Sequence, residues 1–185
     1  MMEKTPKRIV LIGASGVGKT SLLKKFKDGI ALQIIDEQAR IICKELGFKN
    51  IYEIKNPNHF RQLVLKKQIE IEEQLNEFIS DRSTIDCWVH WVRWSYESAK
   101  TFESEKYYQK AFHQALKYSH IIYIPIMFEI TKDDFRWTNN EYQNQIDRLV
   151  LNVLKDWGLM KRTYIVESPI LNNRAKEVLN YLNDG

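Results

Sequence analysis

Apolar residues in this chain alternate between short unbroken runs and stripes at helical spacing. Residues 9–12, Ile-Val-Leu-Ile, form a run between Lys7-Arg8 and Gly13, the pattern of a strand buried on both faces. Leu22, Leu23 and Phe26 then recur on one helical face over residues 20–27, and Asp28-Gly29 supplies a stop. Residues 32–35 predict a second strand ending at Asp36, and residues 37–46 a helix closed by Gly47. Pro57 and its flanking asparagines predict a loop over 52–58. Phe60, Leu63, Val64, Ile71 and Leu75 predict a long amphipathic helix over 59–78, running into a very short third strand at 78–80. Residues 84–119 predict two or three helices with a break around 96–104. The most marked strand is Ile-Ile-Tyr-Ile-Pro-Ile at 121–126, with Pro125 near its end. A polar loop at 131–140, a helix at 141–157, a strand at 163–166 and a helix at 171–182 complete the series.

Strand, loop and helix thus repeat along the chain, the pattern of an α/β fold with a five-stranded parallel sheet and helices on both faces. Such sheets bind ligands beyond the carboxyl ends of their strands. No internal repeat, linker or low-complexity tract divides residues 1–185, so a single domain is expected. Composition fits: 44% hydrophobic and 28% charged residues match an ordinary globular protein. Lys plus Arg number 28 against 24 Asp plus Glu, a net charge of +4 that suits a small phosphorylated ligand and is too weak to argue for nucleic acid. Cys43 and Cys87 have no metal-like spacing and read as reduced thiols. Residues 1–8 show no signal-peptide core, and the apolar stretch 121–130 is shorter than the about 20 residues a bilayer requires. A cytoplasmic protein with no membrane partner is expected.

The densest chemical signal lies after the first strand. Gly13, Ala14, Ser15, Gly16, Val17, Gly18, Lys19 and Thr20 match G-x-x-x-x-G-K-[ST] at every position, with Ser21 next in the opening helix. Glycines let backbone N–H groups turn inward around phosphate oxygens, and the helix that starts there adds its positive end. Lys19 is expected to reach the β and γ phosphates of ATP and the Thr20 hydroxyl to ligate Mg²⁺. Asp81, at the end of the third strand, is placed to hold the same Mg²⁺, and Arg82 to neutralise charge on the phosphoryl group. Asp86 lies one helical turn further on; Asp81 and Ser83 can equally cap the helix that follows. Asp36, Glu37 and Arg40 form another group at the second strand end. A carboxylate there could accept the proton of an attacking hydroxyl, or the group could be a cap with an ordinary ion pair.

Taken in order, GASGVGKTS, Asp36-Glu37-Gln38-Ala39-Arg40 and Asp81-Arg82-Ser83-Thr84-Ile85-Asp86 resemble the small P-loop kinases. Within these the chain is most similar to AAA-domain proteins related to the ribosylnicotinamide kinase domain, and the D-R-S element is similar to that of deoxynucleoside kinases. The resemblance implies a three-layer P-loop fold with a helical lid at about 131–140. Arg136 would be the lid arginine, with Phe135 standing where the family has a small residue. It also implies that Ser168-Pro169 and Asn173-Arg174 lie beside the adenine.

Thr131-Lys132-Asp133-Asp134 also fits the guanine-reading [NT]-K-x-D motif, but no D-x-x-G follows the third strand, where Asp81-Arg82-Ser83-Thr84 stands. Trp88, Trp91 and Trp94 repeat every third residue and read mainly as a packed helix face, with Trp88 or Trp91 as candidates to stack on a substrate ring. His90, His113 and His120 read as structural or exposed. The expectation is an ATP- and Mg²⁺-dependent kinase in which Lys19, Asp36, Arg82 and Arg136 carry the chemistry. Asp36, Glu37, Arg40, Asp86 and Trp88 would meet a nucleoside-like acceptor. An NTPase that switches contacts with a macromolecule is the competing expectation, and a homodimer is left open.

Overall fold

The computed structural model describes residues 6–26, 30–129, 135 and 139–184. The strands are β1 (Arg8–Ile12), β2 (Gln33–Ile35), β3 (Phe78–Asp81), β4 (His120–Tyr123) and β5 (Thr163–Ile165). They form a 5-stranded parallel sheet in the order β2-β3-β1-β4-β5. Between them run α1 (Lys19–Phe26), α2 (Gln38–Glu45), α3 (Pro57–Gln74), α4 (Thr84–Trp94), α5 (Thr101–Ala115), α6 (Asn140–Asp156) and α7 (Leu171–Asp184). Single 3-10 turns at Ile51–Glu53 and Met160–Arg162 complete the described elements. Of the helices, α1 packs with α7, while α3, α4, α5 and α6 pack together. No helix among the described residues is long and apolar enough to cross a membrane.

The central strand explains the core. Ile9, Val10, Leu11 and Ile12 are all fully buried, because β1 is paired on both edges and covered on both faces. Register then aligns the strand ends: Leu11 pairs with Asp81, Ile12 with Tyr123, and Ile35 with Ser80. The loops leaving β1, β2, β3 and β4 therefore share one edge of the sheet.

Local chemistry moves several boundaries from the sequence expectation. Pro57 opens α3 at its first position, and Asn56 caps it by accepting from the His59 N–H, so the helix starts inside the expected loop. It ends at Gln74 because Leu75 is already extended and feeds β3. The region after β3 resolves into α4 and α5. Beneath them, Glu72 of α3 is wholly buried and accepts hydrogen bonds from Gln68 (2.7 Å), Gln114 (2.8 Å) and Tyr118 (3.0 Å). The Tyr118 hydroxyl also accepts from the Thr84 N–H at the start of α4, and Gln68 donates to Ser80 of β3. Burial raises the Glu72 carboxyl to about 7, against the pull of these donors and of Arg8.

Candidate active site

The loop from Gly13 to Gly18 joins β1 to α1 at this shared edge. Gly13 has φ +136°, and a Cβ there would run into the Ile124 carbonyl, so only glycine fits. Gly18 has φ +91°, and a Cβ would lie 2.8 Å from Nη1 of Arg174. Lys19 is buried and donates to the carbonyls of Gly13 (2.8 Å) and Ala14 (2.6 Å), lying back across the loop. Ser15 is buried within the loop, and Ser21 is exposed in the first turn of α1. Thr20 Oγ1 donates to Oδ2 of Asp81, which brings the expected metal-binding pair together across β1 and β3.

Those residues fit a magnesium triphosphate. Mg²⁺ is usually held by one or two protein oxygens plus substrate phosphates, not by a protein cage. Thr20 and Asp81 supply such a pair, and among the described residues no cluster of at least 3 His, Cys, Asp or Glu could hold a metal alone. The loop supplies the phosphate cradle, closed to any larger residue at Gly13.

Arg82 is the hub of the neighbouring network. It is the one non-glycine residue with positive φ among those described, +83°, in the turn between β3 and α4. That turn aims the guanidinium back under the phosphate loop. Nε donates to Glu37 at 3.1 Å, Nη1 to Asp86 at 3.2 Å, and Nη2 to the Ser15 hydroxyl at 3.3 Å. His90 Nε2 lies 3.4 Å from Nη1. Burial opposes the charge of Arg82, but Glu37, Asp86 and Asp81 together hold its pKa above the ordinary value. Burial pushes the Asp86 carboxyl up, and the Arg82 and Lys19 cations and the Ser83 hydroxyl pull it back. Ser83 caps α4, accepting from the Ile85 and Asp86 N–H groups and donating to Asp86 at 3.0 Å.

At the second strand end the two neighbouring carboxylates part company. Glu37 is buried beside Arg82 and occupies the N-cap position of α2 without capping it, since its side chain faces the site. Asp36 is exposed, and its backbone carbonyl accepts from Gln38 at 2.7 Å. Arg40 pairs with Glu37 at 3.1 Å from the outside and lies over the Phe135 ring at 4.4 Å.

A cavity of about 290 Å³ opens beside Ser15, near the lower end of small-molecule sites. Glu37, Gln38, Arg82, Asp86 and His90 line its polar part, and Phe60, Tyr52, Trp94, Phe135 and Tyr142 its aromatic part. Trp88 does not line it. Trp88 packs against Tyr108 (5.1 Å) and Tyr96 (6.5 Å), and Trp91 is fully buried and stacked on Tyr107 at 4.2 Å. The cavity tryptophan is Trp94, whose indole donates to Tyr142 at 3.3 Å. His90, read from sequence as structural or exposed, bridges Arg82 and the Tyr142 hydroxyl (3.3 Å) at the wall of the cavity. Its isolation from any metal-like spacing concealed it.

Of the adenine-side candidates, Asn173 is exposed in the first turn of α7. Arg174 is buried with its donors on protein acceptors: Val17 O at 2.9 Å, Ser168 O at 3.2 Å and Pro169 O at 3.4 Å. Arg136 and Thr131 to Asp134, and with them most of the lid expected at 131–140, lie outside the described residues.

The model of the AAA_28 family (AAA domain) matches residues 8–170. No curated protein sequence matches the chain. Among solved structures, NadR in complex with NR superposes with a TM-score of 0.72 at 17% identity, covering 89% of this chain and 46% of that one. Deoxyadenosine kinase from M. mycoides, with products dCMP and dCDP, gives 0.67 at 15% identity over 95% and 98% of the two chains. Thymidylate kinase from Candida albicans gives 0.69 at 11% identity over 97% and 92%. The chain thus spans about half the length of the NadR structure. At these identities the likeness is one of fold.

Proposed function

The chain belongs to the AAA_28 family of AAA domains, and from that premise we propose that it is an ATP-dependent kinase of a hydroxyl-bearing, nucleoside-like small molecule. The observation that carries the proposal is the placing of Glu37 and Arg82 on the wall shared by the phosphate loop and the cavity. The loop N–H groups and Lys19 bind the triphosphate, Lys19 exchanging the Gly13 and Ala14 carbonyls for phosphate oxygens. Thr20 and Asp81 would hold Mg²⁺, which when bound neutralises charge on the phosphate oxygens.

Glu37 accepts the proton of the acceptor hydroxyl as its oxygen bonds to the γ phosphorus and ADP departs. Arg82 orients Glu37 and presents its Nη2 edge beside Ser15, where charge builds on the transferred group. Asp36, exposed and absent from the cavity wall, has no part in this scheme. Among its described residues the wall carries Glu37 and Asp86, both engaged by Arg82, and Arg61, which donates to the Ser95 hydroxyl at 3.2 Å.

The test is ATP consumption against a panel of nucleosides, nucleoside monophosphates and nicotinamide riboside. A sharp rise with a nucleoside supports the proposal. Slow turnover that no small molecule stimulates would favour the switch reading instead. Stimulation by monophosphates alone would replace the nucleoside with a nucleotide as acceptor while leaving the kinase intact.

A further inference from the structure

A phosphate loop binds anions through N–H groups that point inward, so its carbonyls must point outward and find donors elsewhere. Here those donors can be named. The Gly13 and Ala14 carbonyls accept from Lys19, and the Gly18 carbonyl accepts within α1, from the Leu22 N–H at 2.9 Å. Arg82 Nη1 also reaches the Gly13 carbonyl, at 3.5 Å, and two further bonds come from far along the chain. Gln143 of α6 donates to Ser15 O at 2.7 Å, and Arg174 of α7 donates to Val17 O at 2.9 Å. Gln143 and Arg174 are both buried.

The two kinds of donor behave differently when a triphosphate arrives. Lys19 belongs to the phosphates and leaves the carbonyls it holds. Gln143 and Arg174 are outside the anion's reach in function: each is committed to a carbonyl on the far side of the loop. Arg174 is fixed in turn by Ser168 O (3.2 Å), Pro169 O (3.4 Å) and Met127 Sδ (3.6 Å), with the Phe128 ring 5.6 Å away. Gln143 stands in the first turn of α6, anchored by the Asn139 cap, beside Tyr142, which lines the acceptor cavity.

We infer that Gln143 and Arg174 are positioning residues for triphosphate binding, a two-point clamp that holds the Ser15 and Val17 peptides with their N–H groups facing the phosphates. The inference rests on reading residues 13–20 as the triphosphate site. Gly18 is part of the same device. With a Cβ in its place Nη1 of Arg174 could not come so near, so the glycine makes room for the clamp as well as for the anion.

The experiment is calorimetric titration of the whole chain and of its Gln143→Leu and Arg174→Lys variants with inorganic tripolyphosphate, AMP-PNP with Mg²⁺, and adenosine. Thermal midpoints without ligand are measured in parallel. Gln143→Leu should bind tripolyphosphate and AMP-PNP about tenfold more weakly, the usual reach of one lost buried hydrogen bond. Adenosine affinity should stay unchanged. Arg174→Lys, which keeps the charge but not the fork, should show a smaller loss in the same two ligands. Equal tripolyphosphate affinity in all three proteins overturns the clamp. So does an equal loss for adenosine and tripolyphosphate, which marks general loosening. Failure of the unsubstituted protein to bind tripolyphosphate overturns the phosphate reading itself, and the clamp with it.

Discussion

Glu37 and Asp36 are neighbours of identical charge, yet only one of them is a candidate base. Glu37 lies 3.1 Å from Arg82 and lines the cavity, while Asp36 faces solvent. Glu37→Gln should lower kcat by about 10²–10⁴-fold, with ATP affinity little changed, whereas Asp36→Asn should leave both near their starting values. Steady-state kinetics with the best nucleoside of the panel decides between them, and equal loss in both variants would remove Glu37 from its special role. Arg82 raises a matter of stability as well as of chemistry. Arg82→Met would strand Glu37 and Asp86 as buried carboxylates without their shared cation. A loss of about 3–5 kcal/mol is expected, read from the urea midpoint of unfolding. A variant as stable as its parent would mean that the network relaxes into water.

At the scale of elements, α4 shows how a turn and a helix cooperate. Ser83 caps it and binds Asp86, so the helix start and the acidic partner of Arg82 are fixed by one hydroxyl. Ser83→Ala should cost about 1 kcal/mol in thermal unfolding and raise the acceptor KM before it touches that of ATP. The sequence made much of this edge legible, for reasons that differ by element. The phosphate loop is contiguous, so its spacing alone announces both the fold and the ligand. The pairing of Thr20 with Asp81 could be anticipated because a buried parallel strand delivers its last residue to the same edge. The choice between Asp36 and Glu37 was not legible, since at a strand-to-helix junction one residue's difference reverses the direction of a side chain. The tryptophans of α4 misled for a similar reason. Successive steps of three fall short of a full turn, so Trp88 and Trp94 diverge by about 120°, the first toward α5 and the second toward the cavity. Gln143 and Arg174 touch the loop from α6 and α7, and no local pattern reveals a contact made across such a distance.

For the whole molecule, Glu72 ties β3, α3, α4 and α5 together through one buried carboxyl. Its pKa is raised on folding, so the native state prefers the protonated form. The stabilisation from that proton is complete below pH 4.5 and is lost as pH rises through about 7. A rise from 4.5 to about 7 corresponds to roughly 3 kcal/mol. Glu72→Gln, which cannot ionise, should therefore gain stability relative to its parent by up to that amount between pH 4.5 and 8. Parallel denaturation curves across this range check it, and a constant difference would mean that Glu72 stays charged throughout. A different consequence follows from the position of β1 between β3 and β4. A ribosome delivers β1 and the glycine loop well before the strands that flank β1, Phe78–Asp81 and His120–Tyr123. The two side chains that fasten the loop, Gln143 and Arg174, emerge later still. Until then the nascent chain carries the sequence of the phosphate loop without the neighbours that shape it. A nucleotide bound at the proposed site can therefore stabilise this domain only after α6 and α7 have been made, which couples its binding to completed assembly of the sheet.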